Sequence, residues 1–504
     1  MVVLAGVALH SGASAIALPI GPAGAMTHLA LDPLSACFLL LLFLAALGTQ
    51  IAPLTLAGTA ATLLAADGFG IVVGLLLLGG QRQLRLSAVA AVCIVVALAL
   101  FGSAGEFAVL RTMPPDGWRA AVVLLLVLAA AGCLIPLDPA IAAWVMLRVV
   151  FDLCGSEQAV WWGVPLLLAG AGFAAYSAWR AALADTLHAV AGAAALLPFG
   201  VATMALGVAL CGRAVDLPSV ASLALAAAWL GVLAHVLCRT LLQLVADEVE
   251  RSGGTRRLDL LGGVIRGMPV TASSCLSGLF AFALLPPGIG FAAFWLLFQS
   301  LLAMARFGDP GLRALTLCVA LLLAASFGLA TLAGVRLFGI VFLGRPRSPR
   351  GAVAEDPRGA PRHVLAGLAA LTALLGILPG LALLPAAGWT RAASPMLLLT
   401  LRNGAEAPGY SPIFIAAMLA MAGLAARRAL RVRREPPREP VWNGGFAALP
   451  PWLPFGDPAA QFGAASFVAP LRKLATLLPH IDMQSSLHQM RAAVQRATTA
   501  WMAR

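Results

Sequence analysis

The amino-acid sequence predicts an all-α, polytopic transmembrane helix bundle. Three properties of the chain predict this class: 61% of its 504 residues are hydrophobic, only 11% are charged, and the mean hydropathy is +0.94. Soluble proteins contain about 25% charged residues on average, so this chain has too little polar surface to cover a water-soluble globule of its size. The composition therefore excludes a cytosolic enzyme, a disordered chain and a secreted disulfide scaffold.

Apolar runs follow one another along the chain and indicate about 13 to 14 spans, since a helix needs roughly 17 to 25 apolar residues to cross a bilayer. Residues 2–20 lack a preceding basic region, which favours a first span over a signal peptide. Asp67-Gly68 predicts a tight turn within a later run, and 311–344 exceeds one crossing unless the helix bends. The clearest later runs are 36–54, 55–80, 87–102, 118–134, 160–178, 188–211, 219–246, 270–286, 289–306, 311–343, 364–387 and 411–429.

The formal charge of +12 and the pI near 10.5 come from arginines at the ends of apolar runs. Two loops, 345–362 and 427–438, are rich in arginine, and the positive-inside rule puts both in the cytoplasm of a bacterial inner-membrane protein. A nucleic-acid footprint needs basic residues clustered beside groove-reading elements. No nucleic-acid partner is therefore expected.

Residues 431–504 lose the hydrophobicity of residues 1–430 and predict a cytoplasmic tail after the transmembrane bundle. The tail starts as an extended segment rich in proline and arginine. Further on, an amphipathic helix lying on the membrane or on a partner is predicted, with a frayed terminus as the alternative. The residues that recur there at helical spacing are Leu487, Met490, Val494 and Trp501.

Prolines interrupt the apolar sequence at two sites about 150 residues apart. Pro136 and Pro139 break the first stretch, and Pro286 and Pro287 break the second. Proline frees a carbonyl that lipid cannot satisfy, so a broken helix at membrane depth needs protein or water around it. Corresponding breaks in two halves are typical of transporters. The alternative is that the prolines only kink helices without a function.

Few ionisable residues lie within or near the predicted spans. Asp138 stands beside the first break, and a charge at the bilayer centre is costly enough to persist mainly when it is used. His188 and His235 can exchange protons near neutral pH, because the reference pKa of histidine is about 6.5. The alternative for each histidine is a satisfied core residue.

The second histidine lies on a helix that carries further charges. Arg239 follows His235 by four residues, so both lie on one face, but a guanidinium can pair or set a field and cannot relay a proton. Asp247 and Glu248 lie two turns further on and are predicted near the cytoplasmic end. Structural pairing and ion conduction are both compatible with this pattern.

No cofactor site is predicted in this chain. Its eight cysteines stand singly in apolar surroundings, without a CxxC pair or a histidine-rich neighbourhood, so they read as small core residues. No GxGxxG or Walker-type loop follows a strand pattern. The sequence therefore names no catalytic, metal-binding or cofactor-binding residue.

Three strings carry the most specific pattern: HVLCRTLLQLVADEV (235–249), SGGTRRLDLLGGVIRGMP (252–269) and LPPGIGFAAFWLLFQSLL (285–302). Further strings are LDPLSACFLLLL (31–42), ADGF (66–69), VRLFGIVFLGRPRS (335–348), VWNGGF and FGAASFVAPLRKL (462–474). Together these strings resemble the antiporter-like membrane subunits of complex I, Mrp antiporters and group 4 hydrogenases, and most of all the hydrogenase-4 component B type.

The resemblance implies a bundle with two inverted repeats, here about 56–211 and 219–343, each containing a proline-broken helix. It also implies proton movement along an axis of glutamate, lysine and histidine residues, driven by redox events in partner subunits. The implied partners are other antiporter-like subunits, a quinone-site membrane subunit and hydrophilic oxidoreductase subunits. Iron–sulfur, nickel–iron and quinone sites are expected only in those partners.

The sequence departs from the family pattern along this axis. The resemblance implies a tryptophan-glutamate pair at Leu75-Leu76, a lysine at Ala131 and a glutamate at Phe294, and none of the residues present can carry a proton. It also assigns lysine positions to His188 and Arg239, of which only His188 keeps a titratable group. Lys473 is the only lysine in the chain.

Three functional hypotheses follow. The first is a proton-translocating subunit of a complex I-like or hydrogenase-like assembly, which conducts through water, His188, His235, Arg239 and Asp138. The second is a degenerate structural or assembly subunit with impaired or no conduction. The third is a stand-alone secondary transporter, since broken helices at the membrane midplane suit that function too.

Overall fold

A computed structural model gives the fold of the chain. Within it, the predicted proline-rich segment and the predicted amphipathic helix of residues 487–501 lie outside the described residues. The structure describes residues 15–18, 27–48, 53–79, 84–100, 107–110, 117–154, 159–307, 310–386, 389, 411–432 and 463–477.

The described residues form a helical bundle with one small antiparallel hairpin of two strands, Ala15–Leu18 (β1) and Thr27–Ala30 (β2). A π-helix covers Met146–Leu153, and short 3-10 turns cover Val160–Trp162, Leu258–Leu260 and Val264–Arg266. The α-helices are Pro33–Gly48 (α1), Pro53–Leu64 (α2), Gly68–Gly79 (α3), Leu84–Ala99 (α4), Phe107–Leu110 (α5), Gly117–Leu134 (α6), Pro139–Val145 (α7), Gly163–Leu183 (α8), Leu187–Ala194 (α9), Leu196–Ala214 (α10), Pro218–Gly253 (α11), Pro269–Phe282 (α12), Ile289–Phe307 (α13), Pro310–Val341 (α14), Pro349–Ala352 (α15), Ala360–Ile377 (α16), Pro379–Leu383 (α17), Pro412–Val432 (α18), Ala464–Phe467 (α19) and Ala469–Leu477 (α20).

Membrane-spanning helices dominate the described chain. Six helical stretches are long and apolar enough to cross a bilayer, and several shorter apolar helices accompany them. The six are Gly117–Leu134, Val160–Leu183, Leu187–Ala214, Pro218–Gly253, Pro310–Val341 and Ala360–Ile377. The predicted class, an all-α polytopic helix bundle, is confirmed.

Helix α11 lies at the centre of the bundle. Its 36 residues extend about 54 Å, and most of its side chains are buried against α1, α9, α10, α12 and α13. Most of its residues are apolar, chiefly alanine and leucine, so neighbouring helices can pack on every side of it. This central helix carries His235 and Arg239.

Glycines bring α8 and α10 into close contact. A Cβ atom on Gly170 would lie 2.5 Å from the Met204 backbone nitrogen, and one on Gly200 would lie 2.7 Å from the Gly170 carbonyl oxygen. Small residues of this kind let helix backbones approach closely where no hydrophobic force holds them together in lipid. Helices α8 and α10 therefore form a closely packed pair beside α11.

A buried arginine joins the N-terminal helices. The Arg148 side chain, on the π-helix, is 2% exposed and its NH2 lies 2.5 Å from Asp32 Oδ2. Its NH1 donates to Asp152 Oδ2 at 2.7 Å, and its NH2 also donates to Ser35 Oγ at 3.1 Å. A buried charge persists when it is paired in this way.

A second buried arginine joins the end of α8 to the segment Gly463–Leu477. Arg336, on α14, is 1% exposed and donates from NH1 to the carbonyl oxygens of Ala182 and Ala184 at 2.6 and 2.8 Å. Its Nε donates to the Ala464 carbonyl at 3.0 Å, and its NH2 lies 3.3 Å from Asp185 Oδ1. The segment Gly463–Leu477 is thereby held against the end of α8.

The structure corrects one helix prediction and shows a break within a second predicted run. The described part of the first run is the strand Ala15–Leu18, not a transmembrane helix, and the helix-breaking residues that follow it, from Pro19 to Pro22, explain the difference. The run 188–211 is interrupted at Ala195, because Pro198 has no N–H and its ring clashes with the carbonyl four residues earlier. The turn predicted at Asp67-Gly68 separates α2 from α3.

Candidate functional site

A cavity of about 260 Å³ lies beside the middle of α11. Its walls come from α1, α2, α7, α11 and the turn that joins α6 to α7. A water molecule takes about 30 Å³ of liquid volume, so the cavity has room for several. Its polar lining residues are Thr55, Thr59, Asp138, His235, Arg239, Thr240 and Gln243.

The first proline break supplies the carboxylate of this cavity. Asp138 has an extended backbone and caps α7, where its Oδ1 accepts a hydrogen bond from the Ala140 backbone N–H at 2.9 Å. Pro139 occupies the first helical turn, where its missing N–H costs nothing. The positively charged side chain of Arg239 lines the same cavity as this carboxylate.

The break between α9 and α10 positions His235. The ring is 1% exposed, and its Nδ1 lies 2.6 Å from the carbonyl oxygen of Ala195, the residue at which that helix is interrupted. Because a carbonyl can only accept, Nδ1 carries the proton and Nε2 of the neutral ring has a free lone pair. Phe199 packs edge-on against the ring at 5.9 Å between centroids.

His188 lies in a different group, near the C-terminal end of α11. Its Nε2 lies 2.9 Å from Asp247 Oδ1 and 3.4 Å from Glu250 Oε2. Glu250 also accepts from Arg256 Nε at 2.6 Å, and this hydrogen bond raises the pKa of Arg256. Among the described residues, His188, Asp247 and Glu250 are the set whose ligand atoms lie close enough together to hold a metal ion.

Glu248 faces away from this histidine group. Its Oε2 accepts from Nε and NH2 of Arg251 at 2.8 and 2.5 Å. The residues predicted together near the cytoplasmic end therefore divide: Asp247 pairs with His188, and Glu248 forms a surface pair. Sequence reasoning missed Glu250, although its spacing of three residues from Asp247 puts it on the same face.

The structure thus brings together Asp138, His235 and Arg239 and separates them from His188. Asp247 lies twelve residues after His235 on α11, a rise of about 18 Å. Direct proton transfer between the two histidines is therefore impossible. Any exchange between the two groups needs water or intervening side chains.

The second proline break has no such group beside it. Pro286 and Pro287 lie in the turn between α12 and α13, followed by an aromatic cluster in which Phe294 stacks on Phe327 at 5.8 Å between centroids. The other two axis positions are apolar as well: Leu76 is 40% exposed and Ala131 is 3% exposed. Among the described residues, the second break therefore lacks the ionisable side chain that Asp138 supplies at the first break.

Sequence reasoning also missed the hydroxyl and amide groups of the cavity. Thr55 and Thr59 lie four residues apart on α2, and Gln243 lies four residues after Arg239. The spacing of four is a visible signal for a shared helical face. The approach of α2 to α11 at this cavity depends on tertiary packing. The sequence pattern of a single helix carries no information about which helix it faces.

Comparison with known proteins gives a consistent family. The transmembrane domain described as NADH:quinone oxidoreductase/Mrp antiporter matches residues 204–308. The chain is 31% identical over 340 residues to an uncharacterized protein of Mycobacterium tuberculosis, covering 64% of this chain and 52% of that protein. It is 29% identical over 230 residues to hydrogenase-4 component B of Escherichia coli, covering 45% of this chain and 34% of that protein.

The fold has a solved counterpart in the membrane-bound sulfane sulfur reductase, an archaeal respiratory membrane complex. The TM-score is 0.75 at 16% identity, covering 99% of this chain and 89% of that chain. The chain spans about half the length of the Mycobacterium tuberculosis relative and about a third of hydrogenase-4 component B. The resemblance described from the sequence strings is confirmed.

Proposed function

We infer that this chain is a membrane subunit of the antiporter-like family shared by complex I, Mrp antiporters and membrane-bound hydrogenases, and we propose that it couples electron transfer in partner subunits to proton movement across the membrane. The supporting observation is the cavity that Asp138, His235 and Arg239 line together. Ionisable groups within a membrane protein are costly and mark ion pathways.

Each of these side chains has a distinct part. Asp138, held at the N-terminus of α7, accepts and releases a proton. His235 keeps one proton on Nδ1 through the Ala195 carbonyl and receives the transferred proton on Nε2. Arg239 keeps its charge and sets the field between them, since a guanidinium does not deprotonate in proteins. Water beside Thr59 and Gln243 would carry the proton between Asp138 and His235.

The partners and location of the chain are part of this proposal. Redox centres and a quinone site reside in neighbouring subunits, and the chain lies in a bacterial inner membrane with its tail in the cytoplasm. Other antiporter-like subunits pack beside it. The arginine-rich loops and the family match support this arrangement.

The test uses the whole complex, reconstituted in vesicles with an electron donor. Asp138→Asn and His235→Gln are expected to lower the number of protons moved per electron while assembly and electron transfer continue. Asp216→Asn is the matched control, because Asp216 lies in a loop at φ 55°, which asparagine tolerates. An unchanged proton yield in both cavity variants would contradict the proposal.

The second candidate is a structural subunit that moves no ions. The apolar residues Leu76, Ala131 and Phe294 at three axis positions favour it, as does the absence of any lysine other than Lys473 from the sequence. Under this hypothesis the cavity variants leave proton yield unchanged, whereas removal of the subunit abolishes assembly. The two measurements together separate the candidates.

A further inference from the structure

The segment Gly463–Leu477 lies against the bundle at one end of α8. Arg336 donates to the Ala464 carbonyl oxygen at 3.0 Å and to the Ala182 carbonyl oxygen at 2.6 Å. The backbone N–H of Ala464 donates in turn to Asp259 Oδ1 at 2.6 Å. These hydrogen bonds fix the start of the segment beside the last turn of α8.

Helix α8 sets the depth of this segment in the membrane. The helix has 21 residues, a length of about 31 Å, which matches a hydrocarbon core of about 30 Å. Its last turn therefore reaches the boundary between hydrocarbon and headgroups. Arg472, on α20, pairs with Asp185, two residues beyond the end of α8. Both the start of the segment and its second helix are thus held at that boundary.

One face of the segment is apolar and packs on the bundle. Ala464 and Val468 are fully buried, and Leu471 packs against the hydrophobic core. Spacings of four and three residues place these side chains on the same side. This face accounts for the docking of the segment.

The outward face of the segment carries large apolar side chains as well. Phe467 is 40% exposed and Leu474 is 53% exposed, whereas a helix whose outer face met water would carry polar residues there. The segment also contains two basic residues, Arg472 and Lys473, and no acidic one. Exposed apolar side chains beside positive charges are typical of helices that lie in the plane of a membrane interface.

We propose that Gly463–Leu477 is an interfacial anchor whose outward face binds anionic phospholipid. Phe467 and Leu474 enter the boundary between acyl chains and headgroups, and Lys473 lies among the lipid phosphates. The depth set by α8 brings this face to the lipid, and the positive charge of the segment is complementary to an anionic leaflet. The anchor does not depend on ion movement through the bundle.

Photo-crosslinking tests the anchor in the whole complex, placed in nanodiscs with equal amounts of phosphatidylglycerol and phosphatidylcholine. p-Benzoylphenylalanine replaces Phe467 in one variant and Leu474 in a second, and mass spectrometry identifies the molecule to which each is joined. Val353 is the matched control position, because its side chain is 75% exposed. It lies on a loop that Arg350 holds to the Arg251 carbonyl oxygen at 2.9 Å, in the charged last turn of α11.

Lipid adducts are expected at Phe467 and Leu474 and not at Val353. Phosphatidylglycerol adducts should outnumber phosphatidylcholine adducts by about fivefold, the preference that one basic residue near an anionic surface produces. Lys473→Gln should lower this ratio toward one. Arg358→Gln should leave it unchanged, since Arg358 is 88% exposed on the same loop as Val353.

Three results overturn the proposal: adducts mainly with another protein subunit, lipid adducts no more frequent than at Val353, or equal adducts with the two lipids. The Leu474 variant keeps the test decisive if the Phe467 variant does not assemble. The two residues lie on different helices, Ala464–Phe467 and Ala469–Leu477, so a local disturbance at one leaves the other in place.

Discussion

Replacing Arg336 with methionine should release the C-terminal segment Gly463–Leu477 from the bundle. The guanidinium is 1% exposed and makes hydrogen bonds to three carbonyl oxygens and to Asp185. Methionine fills a similar volume but offers no donor, so the Ala464 carbonyl loses its bond and the acceptors at the end of α8 lose theirs. Leaving a buried acceptor without its donor costs about 1 to 3 kcal/mol, and Arg336 serves carbonyl oxygens of Ala182, Ala184 and Ala464.

Part of this cost appears as weaker docking of the segment. Since every 1.4 kcal/mol is a factor of ten in an equilibrium, a loss of about 3 kcal/mol would raise the undocked population roughly 100-fold. Proteolysis follows that population when opening and closing are faster than cleavage. Trypsin should therefore cut after Arg472 or Lys473 about 100-fold faster in Arg336→Met than in the parent, which mass spectrometry of the fragments measures.

The control for this prediction lies on the same helix. Arg313 is exposed on α14, and Arg313→Met should change stability by less than about 0.5 kcal/mol and leave the cleavage rate within threefold of the parent. Arg336→Lys keeps the charge but has no fork with which to reach all the acceptors, so its rate should lie between the two. Equal cleavage of Arg336→Met and Arg313→Met would refute the reasoning.

Three further predictions concern stability. Gly200→Val should lower the unfolding free energy in detergent by about 1 to 3 kcal/mol, because its side chain would meet backbone atoms of α8, whereas Gly172→Val, with nothing within 4 Å, should have little effect. Asp356→Ala should speed hydrogen exchange of the Thr271 amide, since the Asp356 carboxylate caps α12 there at 3.0 Å; its cost is about 1 kcal/mol, and unchanged exchange would exclude the cap. Arg148→Met should cost about 3 kcal/mol in the same unfolding assay because it removes the buried ion pairs to Asp32 and Asp152, and a loss below 1 kcal/mol would contradict the pairing.

Composition and hydrophobic run length were sufficient to predict the fold class, since a helix must satisfy its own backbone in lipid. The spacing of four residues was sufficient to place His235 and Arg239 on one face. The approach of Asp138 to them could not be predicted, because it depends on how a turn about a hundred residues earlier packs against α11. The interruption at Ala195 was visible in principle, as Pro198 follows it within one turn.

The group formed by His188, Asp247 and Glu250 shows a second limit of prediction from the sequence. The resemblance assigned His188 to the same axis as His235, and hydrophobic periodicity offers no distance between residues on different helices. In the structure, His188 contacts Asp247, and Asp247 lies about 18 Å along α11 from His235. Glu250 and Gln243 also belong to these two groups. Neither is part of a sequence motif, so only the residues that surround them in the structure identify their place.

The buried guanidinium of Arg336 has a consequence for biosynthesis. Its acceptors on Ala182 and Ala184 precede it in the chain, but the carbonyl of Ala464 is translated 128 residues later. At roughly 5 to 20 residues per second, that interval lasts about 6 to 26 s. During this time the positive charge of Arg336 lacks its last acceptor, the Ala464 carbonyl. A chaperone or insertase that shields α14 would therefore act on the nascent polypeptide rather than on the finished protein.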